Sequence, residues 1–208
     1  MMDPGNPDLV RFDPKTVLPS EDRVLARSGC PPSRRGGFGR DAGEALEQLS
    51  VLALPKALYV TRDDVEITGD GLKARGIVLE STSLARFMKR AEKVSVFLVT
   101  IGPAPEKECR GLQEKGLMSR AFFLDSAASC MVEEVSRALQ KMLAERLPGL
   151  SATGRFAPGF GDFALSSQNR IMKLLDGQRA GVRLENDSYM LRPVKSGTGV
   201  IGWIRRSD

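Results

Sequence analysis

The chain has 208 residues, a length that suits one medium-sized domain better than two full domains. It contains no histidine, which excludes Ser-His-Asp and Cys-His catalysis as well as imidazole metal ligands. The net charge is +5, and most of the excess lies in residues 151–208, which carry nine basic and five acidic side chains. This part of the chain therefore favours anionic ligands or partners, although a solvated basic surface explains the same charges.

The number of cysteines and the lack of long apolar segments indicate in which cellular compartment the protein works. Three cysteines without a CxxC pair argue against a disulfide framework and against a cysteine-rich zinc site, so we predict no metal. Cys109 and Cys130 lie beside apolar residues on predicted helices and are expected to be buried, whereas Cys30 lies in a flexible loop and is expected to be exposed. No segment approaches the roughly 20 apolar residues of a membrane-crossing helix, and no secretory signal is visible. We predict a cytoplasmic protein with no membrane partner.

The predicted elements follow from apolar periodicity and from the turn residues between periodic segments. Strands are predicted, in chain order, at residues 9–12, 57–61, 65–68, 77–79, 94–101, 182–184, 188–191 and 200–204. Helices are predicted at residues 23–27, 41–54, 84–90, 106–115, 119–146 and 169–175. The strand at 94–101 is almost continuously apolar, so it should be central and covered on both faces. Helices and strands occur without regular βαβ alternation, which predicts an α+β domain.

Local signals place the boundaries of these elements. Ser20 and Ser83 are predicted N-caps of the helices that follow them. Residues 29–39 contain six Gly or Pro among 11 positions and are predicted to form a loop. We therefore predict an N-terminal arm and loop at residues 1–40 and one domain at residues 41–208.

The most informative segment is RFAPGFGD, residues 155–162. Its glycines and its proline describe a tight backbone that can approach a ligand closely, and Arg155 offers a planar fork for a carboxylate or phosphate. Such a loop suits a small molecule with a carboxylate and a heterocycle, although a structural turn with an exposed arginine would use the same residues. It is neither a P-loop nor a dinucleotide-binding fingerprint. A nucleic-acid partner is not predicted, because no binding motif is present and only 6% of the residues are aromatic.

With these residues the chain resembles the C-terminal activation domain of cobalamin-dependent methionine synthase, including its stand-alone versions. The family's Arg-x-x-Pro-Gly-aromatic loop is matched by Arg155, Pro158, Gly159 and Phe160. Further landmarks occur in the family's order across residues 45–204: Thr100-Ile101-Gly102, Asp125, Ser129, Val132-Glu133, Asp187-Ser188-Tyr189-Met190, Pro193 and Ser196–Gly199. The resemblance implies an α+β fold with a mixed or antiparallel sheet, one long helix and several shorter helices.

The resemblance also implies a binding site for S-adenosylmethionine, without a catalytic residue. Arg155 would contact the methionine carboxylate, the backbone at Ala157 and Gly159 would meet the adenosine portion, and Phe160 would keep the aromatic face of a family tyrosine. Three further residues are expected at this site: Tyr189, Ser196 and Gly199. Lys141 falls near the position of the family's ligand-facing glutamate.

The function that the resemblance implies is that of a stand-alone reactivation subunit in methionine biosynthesis. It would bind S-adenosylmethionine and support reductive methylation of the cob(II)alamin form of a separate, methionine synthase-like corrinoid methyltransferase. The partner would carry the cobalamin, and a low-potential donor such as flavodoxin or ferredoxin would supply the electron. Two alternatives stay open: a non-catalytic corrinoid-protein-binding module or sensor that kept the fold but not effective S-adenosylmethionine chemistry, and a binding protein for an unrelated metabolite. The sequence does not decide whether the chain is an enzyme.

Overall fold

The computed structural model describes residues 6–31, 33, 35–185 and 187–206, with residues 35 and 36 described by their backbone alone. These ranges contain six α-helices: α1 Glu21–Arg27, α2 Arg35–Leu52, α3 Thr82–Met88, α4 Ala104–Glu114, α5 Met118–Arg146 and α6 Gln168–Leu175. The same ranges contain ten strands: β1 Asp8–Arg11, β2 Lys56–Arg62, β3 Glu66–Ile67, β4 Gly71–Ala74, β5 Ile77–Glu80, β6 Lys93–Thr100, β7 Leu150–Phe156, β8 Arg183–Leu184, β9 Leu191–Arg192 and β10 Ser196–Arg205. Short 3-10 turns lie at Pro14–Val17, Leu165–Ser167 and Gly177–Ala180.

A five-stranded antiparallel sheet with the strand order β1-β2-β6-β10-β7 forms the centre of the molecule. β6 is its middle strand, and seven of its eight residues are buried, so the prediction of a central strand covered on both faces is confirmed. Two smaller antiparallel sheets have the orders β3-β4-β5 and β8-β9. The predicted α+β class, with an antiparallel sheet, one long helix and shorter helices, is confirmed.

The two faces of the central sheet pack against different helices, because successive side chains of a strand point to opposite faces. On the first face, here called the α5 face, Phe97 and Trp203 pack in one core with residues of α1, α2, α4 and α5. On the second face, here called the α6 face, Leu98 and Val200 pack in another core with residues of α3 and α6. Each core is thus a layer of helices on one side of the sheet.

The N-terminal residues join the same core. β1 pairs with β2 at the edge of the central sheet, and α1 packs against α2 and α5. The prediction that Cys30 is exposed is wrong, since Cys30 is 9% exposed and belongs to the core of the α5 face. The cause is a Schellman turn at the end of α1: Gly29 has φ +70°, its N–H donates to the carbonyl of Ala26 (3.1 Å), and the Cys30 N–H donates to that of Leu25 (3.0 Å). This turn directs Cys30 back into the protein.

The other two cysteines are buried, as predicted. Burial is the main cause that raises the pKa of Cys109 to about 11, and it also raises the pKa of Cys130. Because the thiolate is the reactive form of cysteine, both side chains are inert packing residues.

The helix predicted at residues 41–54 begins earlier, at Arg35, so that the second half of the predicted loop at 29–39 is helical. Residues 32 and 34 of that loop lie outside the described residues. Packing explains the extension, because the rings of Phe38 and Phe123 lie 5.9 Å apart and fix the first turns of α2 against α5. The division of the chain into residues 1–40 and 41–208 stays a prediction.

None of the helices in the described ranges combines the length and the apolar composition that a membrane crossing requires. Within the same ranges, Cys, Asp and Glu side chains form no group that could hold a metal ion. The cytoplasmic location stays a prediction.

Candidate functional site

The predicted site lies where β7 ends beside the beginning of β10. β10 pairs with β6 from Ser196 onward, but it pairs with β7 only from Val200 onward. The segment Ser196–Gly199 therefore extends past the end of β7, and the loop at residues 157–163 leaves the sheet at this point. We call Arg155, residues 157–162 and Ser196–Gly199 the β7 corner.

A β-bulge determines where Arg155 points. Ala152 pairs with Trp203 and Arg155 pairs with Ile201, so β7 has one residue more than β10 between these two pairs. In an uninterrupted strand, residues three apart face opposite sides, but the extra residue puts Ala152 and Arg155 on the same side. That side is the α5 face, to whose core Ile201 and Trp203 belong.

The Arg155 side chain is half-buried and held by the long helix. Its Nη1 donates to Oε1 of Gln140 on α5 at 2.7 Å. Burial lowers the pKa of Arg155, while the nearby carboxylate of Glu133 acts in the opposite direction, and a guanidinium remains charged at neutral pH. No other hydrogen-bond partner of this guanidinium occurs in the described part of the chain, so a positioned fork with further donors is available to an anionic ligand.

The loop after β7 has a fixed backbone and an open side. The Gly159 N–H donates to the carbonyl of Phe163 (2.7 Å), and the Phe163 N–H donates to that of Phe160 (3.0 Å). Phe163 is buried and anchors the loop in the core of the α6 face. Gly159 has φ +96° with no atom within 4 Å of its Cβ position, and Phe160 is 62% exposed. A ligand could therefore approach the backbone of Gly159 and the ring of Phe160.

Asp162 ties the loop to the first turn of α3. Its carboxylate accepts from the hydroxyls of Ser81 (2.6 Å) and Thr82 (2.5 Å) and from the N–H groups of Thr82 and Ser83 (both 2.9 Å). These hydrogen bonds, the one from Ser81 first, lower the pKa of Asp162. They also explain why α3 begins at Thr82 with Ser81 as its N-cap, two residues before the predicted helix with Ser83 as its cap.

We expect the replacement Asp162→Asn to lower the melting temperature at neutral pH but not in acid. A carboxylate whose pKa falls on folding stabilises the folded protein above its unfolded pKa of about 4, and this stabilisation is lost as the pH falls from there toward the folded pKa. The difference in melting temperature between the two proteins should therefore shrink below a pH of about 4. Thermal melting at several pH values measures it, with Asp63→Asn, at an exposed ion pair to Lys93, as the control. A difference that does not change with pH would contradict this origin.

The predicted site residues on β10 differ in what they face. A Cβ on Gly199 would lie 2.8 Å from Cζ of Phe97 and 3.1 Å from the Phe156 carbonyl oxygen, so this glycine permits close packing on the α5 face. The Ser196 hydroxyl donates to Oγ1 of Thr100 at 2.9 Å. Ser196 is thus at the β7 corner, with its hydroxyl engaged within the sheet.

Tyr189 lies on the other face of the sheet from the Arg155 guanidinium. Its carbonyl accepts from Nε2 of Gln168 (2.7 Å), whose Oε1 in turn accepts from Oγ1 of Thr198 (3.1 Å). Gln168 begins α6, so this link joins Tyr189 to β10 from the α6 face. Tyr189 has φ +54°, a left-handed conformation that interrupts the predicted strand at 188–191, so that β9 begins only at Leu191.

Arg155, Ala157, Gly159, Phe160 and Gly199 lie at the same end of the β7–β10 pair, but their side chains do not all share one face. The Arg155 guanidinium is on the α5 face, whereas the ring of Phe160 lies 6.2 Å from that of Phe156, which packs on the core of the α6 face. Ser196 borders the same corner, and Tyr189 approaches it from the α6 face through Gln168 and Thr198. The role of these seven residues in binding stays a prediction. Two described cavities, of about 1020 and 480 Å³, are lined by other residues.

Other polar residues complete the region. Sequence reasoning missed Gln140, which positions Arg155, and it missed the capping role of Asp162. Asp125 and Ser129, two residues on which the resemblance rests, both contact Lys195. Nζ of Lys195 lies 2.7 Å from Oδ1 of Asp125 and 2.7 Å from Oγ of Ser129. This contact holds the residue before β10 against α5.

Comparison with known proteins shows the fold. No family model matches the chain, and a search of curated protein sequences finds no match. Among solved structures, the chain is similar to the MetH reactivation domain, determined in a crystal structure with bound AdoHcy. The TM-score is 0.74 at 15% sequence identity, over 98% of this chain and 80% of the other. The chain therefore has the fold of that reactivation domain.

Proposed function

We propose that the chain binds S-adenosylmethionine at the β7 corner and supports reductive methylation of the cob(II)alamin form of a separate corrinoid methyltransferase. The observation that carries the proposal is the positioned guanidinium of Arg155 on a strand that leads into an open glycine loop, in a fold that also occurs in a domain solved with AdoHcy. In this proposal the chain is a stand-alone reactivation subunit for a methionine synthase-like partner.

The residues of the corner fit the ligand chemically. The free N–H donors of Arg155 suit a bidentate bond to the methionine carboxylate. The backbone around Ala157 and Gly159 offers polar groups to the adenosine portion, and the exposed ring of Phe160 offers an apolar face to the adenine. S-adenosylmethionine supplies a methyl group on a sulfonium sulfur, so the chain's task is to bind, orient and expose that methyl group, and no general base is needed.

The partner would supply the metal. One electron from a low-potential donor, such as flavodoxin or ferredoxin, brings the partner's cobalt(II) to cobalt(I). Cobalt(I) would then supply both electrons of a new bond to the methyl carbon as the carbon–sulfur bond of the sulfonium breaks, which gives methylcob(III)alamin and releases S-adenosylhomocysteine. The cobalamin must lie against the opening of the β7 corner, because methyl transfer requires contact between the two reacting atoms.

The test combines the purified chain, S-adenosylmethionine, a low-potential reductant and a corrinoid methyltransferase loaded with cob(II)alamin. We expect the absorbance change to methylcobalamin only when all four components are present. Equal rates with and without the chain would contradict the proposal. Binding of the corrinoid protein without binding of S-adenosylmethionine in calorimetry would favour the non-catalytic module instead.

A further inference from the structure

The outer face of α3 and the turn that follows it are basic and carry an exposed aromatic ring. Arg86, Lys89 and Arg90 are exposed, and Phe87 is 41% exposed between them. We call these four residues the α3 surface. The sequence from Ser81 to Ala91 contains no Asp or Glu, so α3 itself offers no carboxylate to balance the three positive charges.

Neighbouring acidic residues do not neutralise the α3 surface either. Glu92, the nearest in sequence, forms a bidentate pair with Arg205 at 3.0 and 3.1 Å. Asp162 is occupied by four hydrogen bonds at the start of α3. Within the part of the chain that the structure describes, Arg86, Lys89 and Arg90 form no ion pair. Three unpaired cations within five residues of sequence create a local positive potential that attracts an acidic surface.

The α3 surface is continuous with the β7 corner. Ser83 and Arg86 form a row along one side of α3, because they are three residues apart, and Lys89 and Arg90 follow the end of the helix at Met88. This row starts at the loop, because a Cβ on Gly161 would lie 2.6 Å from Oγ of Ser83. A row of three aromatic rings makes a second connection, with centroid distances of 5.1 Å between Phe87 and Phe156 and 6.2 Å between Phe156 and Phe160.

We propose that the α3 surface is the docking site for the corrinoid-bearing partner and that the partner presents an acidic rim around an apolar patch. The inference rests on the proposed function, which requires a protein to cover the opening of the β7 corner. A partner seated there meets Phe160 first and then the neighbouring α3 surface. Phe87 supplies an exposed aromatic anchor of the kind that contributes strongly to interfaces, and the three cations supply steering and register.

The decisive variant reverses all three charges: Arg86→Glu, Lys89→Glu and Arg90→Glu. Its matched control reverses three exposed cations in the helix layer on the α5 face, Arg40→Glu, Lys107→Glu and Lys115→Glu, which changes the net charge equally. We expect the first variant to raise the KM for the corrinoid partner about tenfold or more, with little change in kcat at saturating partner. The control should resemble the unaltered protein, and all three proteins should bind S-adenosylmethionine equally.

Two further measurements distinguish loss of the docking charges from loss of helix stability. Because acidic residues near a helix C-terminus can destabilise the helix, a Gln variant of the same three positions is compared by melting temperature and should show a smaller rise in KM. Direct binding of the partner to the unaltered protein should weaken when NaCl is raised from about 50 to about 300 mM, since salt screens exposed charges.

The outcomes separate this proposal from the proposed function. Remethylation that depends on the chain but has the same KM in the charge-reversed variant would overturn the docking site and leave the function standing. Absence of remethylation with the unaltered protein would overturn the function, and direct binding of the partner to the unaltered and the charge-reversed proteins would then still decide whether the partner docks on the α3 surface. Binding of a short DNA duplex or of anionic vesicles that is tighter than binding of the partner, and is lost in the same variant, would also overturn the docking proposal.

Discussion

Replacing Arg155 by alanine is expected to weaken binding of S-adenosylmethionine by about 1.5–3 kcal/mol, roughly ten- to 150-fold, while the fold stays intact. The range is that of a hydrogen bond to a charged group, because the ligand carboxylate would lose its bidentate partner. Arg155 lies near the end of an edge strand and is half-buried, so its removal leaves little empty space in the core. Isothermal titration calorimetry measures the affinity directly.

Two variants make the Arg155 result specific. Lysine at this position should restore the affinity only in part, because a point charge cannot reproduce the planar fork. The matched control is Arg205→Ala, since Arg205 is at the far end of β10, where it pairs with Glu92 and its side chain is 78% exposed. If Arg155→Ala binds as tightly as the unaltered protein, the role of Arg155 is its structural bond to Gln140.

Replacing Gly199 by alanine is expected to lower the free energy of unfolding by about 1–3 kcal/mol, the usual cost of an added methyl group in a packed core. The new methyl would lie within 2.9 Å of two atoms of the buried Phe97 ring and 3.1 Å from the Phe156 carbonyl, so ring and strand must both move. Urea unfolding gives the change in free energy.

Gly197 provides the control for Gly199, because both belong to β10 and both would direct a side chain toward the α5 face. A Cβ on Gly197 would lie 3.8 Å from Val132 and 3.9 Å from Val99, at ordinary contact distance. Gly197→Ala should therefore be neutral or stabilising by up to about 1 kcal/mol, since alanine restricts the unfolded chain. If both substitutions destabilise the protein equally, close packing against Phe97 is not the reason why position 199 requires glycine.

The elements predicted well from the sequence are those defined by local periodicity. Met118–Arg146 repeats apolar residues at helical spacing over eight turns, which predicts one long helix. β6 is an almost continuous apolar run, which predicts a central strand. No strand is predicted at β7, because Gly154 and the bulge interrupt the alternation. Its strand conformation depends on β10, about 50 residues later in the chain. Pairing at that distance leaves no local signal in β7 itself.

The candidate site is predicted from two segments, residues 155–160 and 189–199, but the contacts that support Arg155 and its loop come from other parts of the chain. Gln140 is 15 residues from Arg155, and only the bulge determines that these two side chains meet. Asp162 is 80 residues from Thr82, so its part in starting α3 could not be read from either segment. Local motifs can mark the residues that face a ligand, while the tertiary fold decides what holds them.

The bulge in β7 also affects how the protein behaves at high concentration. β7 is an outermost strand, and the free side of such a strand can pair with a strand of another molecule. The extra residue interrupts the straight run of backbone donors and acceptors, and the ring of Phe87 lies across the strand at Gly154, with Cζ 2.9 Å from the Cβ position of that glycine. The irregularity that turns Arg155 toward α5 therefore also protects this edge against association between copies of the chain.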